Sequence, residues 1–428
     1  MSTRHIAPHP RAPLALLARA PSPVMDRMFM PTLSRATAPA LAPTPLLYRY
    51  SRYALHAFFT ALGAPRGTPV WMPSFHCGME VRNAADAGFT PRFYHIGDDL
   101  AVDEHDLARG LRDAPGPVLL IHYFGFAQPG VERIAALCAA AGAPLVEDCA
   151  HAPLSTLRGR ALGTVAPAAT FSFSKTFGTV DGGSLRIDAP TLARITGRDV
   201  AMLRRNIAAA APRAGPPIAW DAQRDDVRRR SRDEPPRGDD PERVHAALAE
   251  RFAQRVGTAQ RNIFQGEVRY GGGMSRLSAT LLRRCDPELV MERRRANYQR
   301  LDALLHGAPG YHPLCGELPD GACPLYLPAF VHDRTAVLLR LQAARIAPFI
   351  FGMFHHPAMD AARFPATRRL RENLLCLPVH QDLGARDVER IAAVLRPLLA
   401  GQDGAAAKDA LSEGASHARH DDQVGAER

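Results

Sequence analysis

Ala168-Ala-Thr-Phe-Ser-Phe-Ser-Lys-Thr-Phe-Gly-Thr-Val-Asp-Gly-Gly183 is the stretch on which the reading of this chain turns. The apolar run ending at Phe173 has the length and composition of a buried strand, and Gly183-Ser-Leu-Arg-Ile187 starts another after a glycine-containing loop. Lys175 stands between them. Lys and Arg together number 53, yet lysine occurs only at positions 175 and 408, so the other cations are arginines. An arginine keeps its proton in a protein, whereas a primary amine can lose it and attack a carbonyl to form a Schiff base. Small hydroxyl residues bracket Lys175, and Gly178, Gly182 and Gly183 follow it, letting backbone approach a ligand closely.

Outward from this stretch, short apolar runs alternate with helical ones. The runs are Pro69-Val-Trp-Met72, Arg92-Phe-Tyr-His-Ile96, Val118-Leu-Leu-Ile-His-Tyr123 and Pro144-Leu-Val-Glu-Asp148, with helices after Cys77, through Leu107 and over Val131–Cys138. Strands alternating with helices of this kind predict an α/β fold, a three-layer domain around a mainly parallel sheet. Ligands of such sheets bind beyond the carboxyl ends of the strands, where Asp148 and Lys175 both fall. An earlier helix follows Tyr48, with apolar Ala54, Leu55, Phe58, Phe59 and Leu62, Ser51 as N-cap and Gly63 as its stop. Its N-terminus offers free N–H groups that suit a phosphate.

The spacing divides the chain into a Pro/Ala/Arg-rich segment 1–45, a large domain 46–290, a smaller C-terminal α/β domain 291–401 and a tail 402–428 predicted to be disordered. A charged, proline-containing insertion occupies about 218–261. The domain border is expected within a long helix, Leu289 through Leu305, whose arginines are expected to face solvent. The smaller unit holds the strand Tyr326–Val331, a helix from Thr335 to Ala344 and a closing helix from Ala385 to Leu399.

Asp148 ends a buried strand, which is costly unless a cation meets it. A pyridinium nitrogen meets that need, and a carboxylate beside it preserves the ring as an electron sink, so Asp148 and Lys175 together point to pyridoxal 5′-phosphate. His151 is placed to hydrogen-bond the ring's phenolic oxygen or to stack near the ring. Ser172 and Ser174 are candidate phosphate ligands, Ser51 and Arg52 complete that cradle, and Phe75 or His76 in Pro73-Ser-Phe-His-Cys77 is placed to cover the ring. Taken singly, each of these residues also has a structural reading: a capping serine or aspartate, a satisfied core histidine, a surface lysine.

Composition bounds the rest. The net charge of +10 and pI near 9.6 suit nucleic acid or phosphorylated small molecules equally, but the arginines are dispersed except at Arg228–Arg232 and no nucleic-acid module is recognisable. The seven cysteines are odd in number and form no Cys-x-x-Cys pair, so neither a metal site nor a disulfide framework is expected, and a reducing cytoplasm fits. No apolar run reaches the roughly 18 residues needed to cross a bilayer, and prolines interrupt Pro13-Leu-Ala-Leu-Leu-Ala18, so no signal sequence is expected. A P-loop reading of Lys175-Thr176 fails because no Gly-x-x-x-x-Gly precedes the lysine.

Together these features resemble the DegT/DnrJ/StrS-type nucleotide-sugar aminotransferases, a fold-type-I pyridoxal-phosphate family. The resemblance rests on Glu147-Asp-Cys-Ala-His151, Phe171-Ser-Phe173 followed by Lys175, Gly182-Gly183 after the family interval, Ile121-His-Tyr-Phe-Gly125, Met274-Ser-Arg-Leu-Ser-Ala279 and Leu377-Pro-Val-His380. It implies a seven-stranded large-domain sheet, a homodimer with active sites at the interface, and transfer of an amino group from a glutamate-like donor to a keto sugar. It also implies that Asp148 meets the pyridine nitrogen, Ser172 the phosphate and Lys175 the aldehyde.

Three departures accompany it. The segment before Lys175 is two residues shorter, so Ser174 competes with Ser172 for the phosphate. Gly271-Gly-Gly273 replaces an Asn-aromatic-Arg triplet, with Arg276 a candidate substitute. The stacking aromatic falls near Cys77, leaving Phe75 or His76 to cover the ring. A dehydratase outcome is disfavoured because family members with that chemistry carry histidine in place of the lysine. The chain is also compatible with an aromatic-forming enzyme that uses the same cofactor, and with a non-catalytic binding or regulatory protein built on the same fold.

Overall fold

The computed structural model describes residues 46–216, 268–354 and 356–400, with 246, 247, 249, 250 and 254 between them. The segment 1–45, nearly all of the insertion 218–261, the tail 402–428 and His355 lie outside the described residues.

The chain runs β1 (Leu46–Tyr48), α1 (Ser51–Ala61), β2 (Pro69–Pro73), α2 (Met79–Asp86), β3 (Thr90–Tyr94), α3 (Glu104–Asp113), β4 (Val118–Ile121), a 3-10 turn (Tyr123–Gly125), α4 (Val131–Ala140) and β5 (Leu145–Cys149). A two-strand hairpin, β6 (Thr156–Leu157) and β7 (Arg160–Ala161), precedes β8 (Ala168–Ser172), β9 (Gly183–Ile187), α5 (Ala189–Thr196) and α6 (Val200–Ala209). The described residues then continue with α7 (Arg276–Arg283), α8 (Pro287–Leu305), β10 (His312–Pro313), β11 (Tyr326–Phe330), α9 (Arg334–Ala343), α10 (Pro365–Asn373), β12 (Leu374–Pro378) and α11 (Ala385–Ala400).

Seven strands form one sheet in the order β1-β9-β8-β5-β4-β2-β3. The five from β8 to β3 are parallel, and β9 runs antiparallel to both of its neighbours. Every residue of β4, β5 and β8 is buried, as parallel strands covered by helices require. α1 packs on β8 and β9, α4 on β5, and α3 on β2 and β3. The smaller sheet, β10-β11-β12, is antiparallel, and α11 packs on α8 and α9. One apolar cluster runs from Tyr48 beneath the large sheet to Leu399 at the end of α11.

Three details differ from the sequence reading. Tyr50, not Ser51, is the N-cap of α1 and makes no side-chain capping bond, so Ser51 is the first helical residue. The residues just before α1, for which the sequence names no element, form β1, because pairing with β9 outweighs local propensity in so short a run. The arginines of α8 do not all face solvent: Arg294 is 0% exposed, falling in the stripe Val290, Arg294, Asn297, Tyr298, Leu301, Leu305 that faces the core.

Side chains of β5 alternate between faces, so Glu147 and Asp148 point to opposite sides of the sheet. Glu147 Oε2 accepts from His122 Nε2 at 2.9 Å and Gly163 N at 2.9 Å, and Oε1 from Val165 N at 2.9 Å and Ala166 N at 2.6 Å. His122 Nδ1 accepts from Gln128 N, so Nε2 carries the proton donated to Glu147. His122, Glu147 and Cys149 place ligand-type atoms within 4.8 Å of one another, but these hydrogen bonds already occupy Glu147 and His122, and the cluster is a structural pin.

Burial alone would raise the Glu147 carboxyl, but the His122 hydrogen bond and the Ala166 and Gly163 amides outweigh it and hold it below its ordinary range. A carboxyl depressed in the folded state stabilises the fold above the unfolded value of about 4.3, and that contribution fades as pH falls through the lower folded value. Glu147→Gln is expected to lose about 3–5 kcal/mol at neutral pH and to show a flatter acid limb in urea melts. An unchanged acid limb would refute this.

Candidate active site

The site lies at the carboxyl ends of the parallel strands. β8 ends at Ser172, and the chain then turns sharply, with Phe173 O accepting from Thr176 N at 3.1 Å and Phe177 N at 2.8 Å. Lys175 sits half-buried in that turn. The return leg is anchored at Asp181, which is 1% exposed and accepts from Ser275 Oγ at 2.9 Å, while Ser278 Oγ accepts from Asp181 N at 3.1 Å. Ser275 also caps α7, so Met274–Ala279 serves as the fastening of the lysine loop.

Asp148, in β5 beside Thr170 of β8, is 6% exposed and accepts from Ala150 N at 2.8 Å. Burial raises its carboxyl above the ordinary range, and the Lys175 charge, the Ala150 amide and His122 offset part of that rise. Lys175 is thus within electrostatic reach of Asp148, and likewise of His151, Glu80 and Cys77.

His151 is 4% exposed and stacks on Phe124 at 5.7 Å, with Phe351 edge-on at 5.2 Å. Its Nδ1 accepts from Phe124 N at 3.4 Å, which leaves the proton on Nε2. Burial, reinforced by the Lys175 charge, pushes its basicity well below the ordinary range, so it is neutral. Phe124 itself has φ 55°, a left-handed conformation rare for a bulky residue. Its carbonyl accepts from Leu325 N at 2.7 Å, which fixes the turn.

Ser172 pairs with Gly183 across the β8–β9 ladder, and Gly183 lies against the start of α1. A Cβ on Gly183 would stand 2.3 Å from Ser51 N and 2.7 Å from Tyr50 C. The ladder therefore brings Ser172 and the unsatisfied N–H groups of the α1 N-terminus together, an arrangement that suits an anion. Arg52 lies beside it, its guanidinium 4.1 Å from the Tyr50 ring centroid and its buried Nε without a hydrogen-bond partner. Gly183→Ala would have to move main chain on one side or the other; we expect a loss of about 1–3 kcal/mol and weakened phosphate affinity, read by thermal melts with and without inorganic phosphate. A variant with unaltered melting and phosphate response would contradict this.

Phe75 and His76, one of which the sequence expects to cover a ring beside Lys175, both pack among aromatic side chains. Phe75 is 0% exposed and sits in an aromatic group with Tyr123 and Phe351, at 5.6 and 5.1 Å. His76 stacks on Phe93 at 5.5 Å and its Nδ1 accepts from Gly78 N. Cys77 is within electrostatic reach of Lys175, and its Sγ donates to Glu80 Oε2 at 3.0 Å while its N donates to the same carboxylate at 3.2 Å.

Glu80 is a site residue that the sequence does not distinguish, because an acidic residue in a helix's first turn reads as a dipole partner. Burial and the Asp148 charge both raise its carboxyl. Ser174 is half-buried next to Lys175. Gly271–Gly273 presents no side chains; instead Gly272 pairs with Arg213 and Gly273 with Tyr48, and Arg276 is exposed.

Five parallel strands, an antiparallel neighbour, a helix N-terminus at one edge and an amine within reach of a strand-end carboxylate define a fold-type-I cofactor fold. Residues 52–204 match the family model of the DegT/DnrJ/EryC1/StrS aminotransferase family. The chain is 33% identical over 133 residues to the GDP-perosamine synthase of Vibrio cholerae, covering 30% of this chain and 36% of the relative. It is 37% identical over 131 residues to the dTDP-4-dehydro-2,3,6-trideoxy-D-glucose 4-aminotransferase of Saccharopolyspora spinosa, covering 30% and 34%. The matched part spans about a third of the length of these curated relatives. The fold as a whole is similar to Helicobacter pylori PseC, an aminotransferase involved in the biosynthesis of pseudoaminic acid, with TM-score 0.64 and 17% identity over 89% of this chain and 98% of that one. Among the described residues no helix is long and apolar enough to cross a membrane.

Proposed function

We propose that the protein is a pyridoxal-phosphate-dependent aminotransferase that moves an amino group from a glutamate-like donor to a keto sugar, in keeping with the nucleotide-linked substrates named for its relatives. The feature that carries this reading is a half-buried primary amine, Lys175, within electrostatic reach of a buried strand-end carboxylate, Asp148. The residues fit the cofactor. An anion cradle at Ser172, Ser51 and Arg52 matches its phosphate, a carboxylate matches its ring nitrogen, and an amine lies near that carboxylate.

When bound, pyridoxal phosphate supplies an electron sink for the charge that develops at the Cα of an amino substrate. In this reading Asp148 holds the proton at the pyridine nitrogen, and Ser172, Ser51, Arg52 and the α1 N-terminus bind the phosphate, with Ser174 beside them. His151, neutral with its hydrogen on Nε2, donates to the phenolic oxygen. Lys175 Nζ would take the proton from the substrate's Cα and deliver it to the cofactor carbon that had carried the aldehyde. Phe75 and His76 back the pocket wall formed by Cys77 and Glu80.

The same reading divides the chain at a large domain 46–290 and a smaller one 291–401, makes the assembly a homodimer with the site at its interface, and places it in the cytoplasm. All seven cysteines are free thiols, which supports a reducing compartment. Borohydride reduction of the protein mixed with cofactor, followed by peptide mapping, tests the reading: the cofactor is expected on Lys175 and not on Lys408. Glutamate and a nucleotide-linked 4-keto sugar should then yield 2-oxoglutarate; protein that retains no cofactor would overturn the proposal.

A further inference from the structure

The guanidinium of Arg294 is a cation in the core, and among the described residues no carboxylate is bonded to it. Its Nη2 donates to the carbonyls of Lys175 at 3.4 Å and Thr176 at 3.3 Å, and its Nη1 to those of Pro324 at 3.1 Å and Leu325 at 3.2 Å. Nε makes no hydrogen bond. Burying an unpaired guanidinium costs several kcal/mol, and burial lowers its hold on its proton, with Asp382 acting back on it electrostatically. An apolar residue in the core-facing stripe of α8 would carry no such cost.

The four carbonyls belong to two different parts of the molecule. Lys175 and Thr176 lie on the loop after β8, whereas Pro324 and Leu325 lead directly into β11 of the smaller sheet. Gln381, just beyond β12, adds a second tie from the same side, its Nε2 donating to Thr176 O at 2.8 Å. The main chain of the lysine turn is therefore suspended from the C-terminal third of the chain.

We propose that Arg294 is a positioning residue for Lys175, its guanidinium fork fixing the backbone from which the amine projects and linking that backbone to the smaller sheet. The proposal rests on the aminotransferase reading for its purpose, but its physical content does not need the cofactor. A misplacement of about 1 Å at a reacting group is enough to slow a reaction on the order of 100-fold, so a loosened carbonyl anchor has functional weight.

The scarcity of lysine supplies the test. Acetic anhydride labelling of the cofactor-free protein, read by peptide mapping, reports Lys175 against Lys408 as an internal reference. In Arg294→Ala the Lys175:Lys408 ratio is expected to rise severalfold, and added guanidinium ion, which fits the vacated space, to bring it back. Arg294→Gln, which keeps two donors, covers the case in which the alanine variant fails to fold, and should fall between the two. Borohydride-trapped capture of pyridoxal phosphate at Lys175 should slow on the order of 100-fold in Arg294→Ala and recover with guanidinium. Melting temperatures that drop while the labelling ratio and the capture rate stay at wild-type values would mean a merely structural role and would overturn the inference. Wild-type protein that captures no cofactor would instead overturn the function proposed above, while the labelling ratio would still decide the role of Arg294.

Discussion

Lys175→Ala and Lys175→Arg are each expected to leave a folded protein whose amino transfer falls by on the order of 10⁴ to 10⁶-fold, the scale on which removal of a covalent nucleophile acts. Folding should survive because the contacts that shape the lysine turn are main-chain ones: Phe173 O to Thr176 N and Phe177 N, and the carbonyls of Lys175 and Thr176 to Arg294. The side chain itself is half-buried and supports no packing on which the core depends. The arginine variant is the more telling, since it keeps a cation in a chain that otherwise writes its cations as arginine, yet a guanidinium cannot deprotonate to serve as a nucleophile. Measured 2-oxoglutarate formation within tenfold of wild type in either variant would remove Lys175 from the chemistry.

Asp148→Asn is expected to lower turnover by about 10²–10³-fold, the usual loss when a preorganised electrostatic group is removed, while raising stability. The second half follows from the sign of the carboxyl's shift. Burial raises Asp148 in the folded state above its unfolded value, so the fold is favoured while the group is protonated and loses that advantage as pH rises through the folded value. An amide has no such dependence, and it relieves the repulsion from Glu80, whose carboxyl the Asp148 charge also raises. Urea melts across the acid to neutral range should show the asparagine variant gaining on wild type with rising pH and then running parallel. A variant that is less stable at neutral pH yet fully active would show that Asp148 is a structural carboxylate.

Much of this was legible in the chain because it is written locally. Gly183–Ile187 and the run ending at Phe173 appear as strands within a residue of their expected bounds, and Asp148 falls at a strand end because β5 is a short apolar run that stops one residue later. What could not be read are facts that arise only when distant segments meet. Glu80 and Asp148 are far apart in sequence, and their mutual repulsion exists only after β2 and β5 take their places in the sheet. Arg294 lay nearer to view: its spacing from Val290 and Tyr298 puts it on the core-facing stripe of α8, and reading that stripe by position rather than by polarity would have exposed it. Cys77 N donates to the Glu80 carboxylate three residues on, a local contact that the residue types alone do not set apart. Ser51 misled because a serine before an apolar run is the usual cap, and the β1–β9 pairing moves the cap one residue upstream.

The pairing of Ser172 with Gly183, and the close approach of Gly183 to the first turn of α1, would tie the proposed anion pocket to hydrogen-bond register rather than to loop shape. On the proposed function, surrounding loops would be at liberty to drift, lengthen or exchange side chains over evolutionary time without disturbing that pocket. Innovation in such a chain would accumulate around the proposed acceptor, and an engineer seeking a new one could recast that side while leaving the ladder untouched.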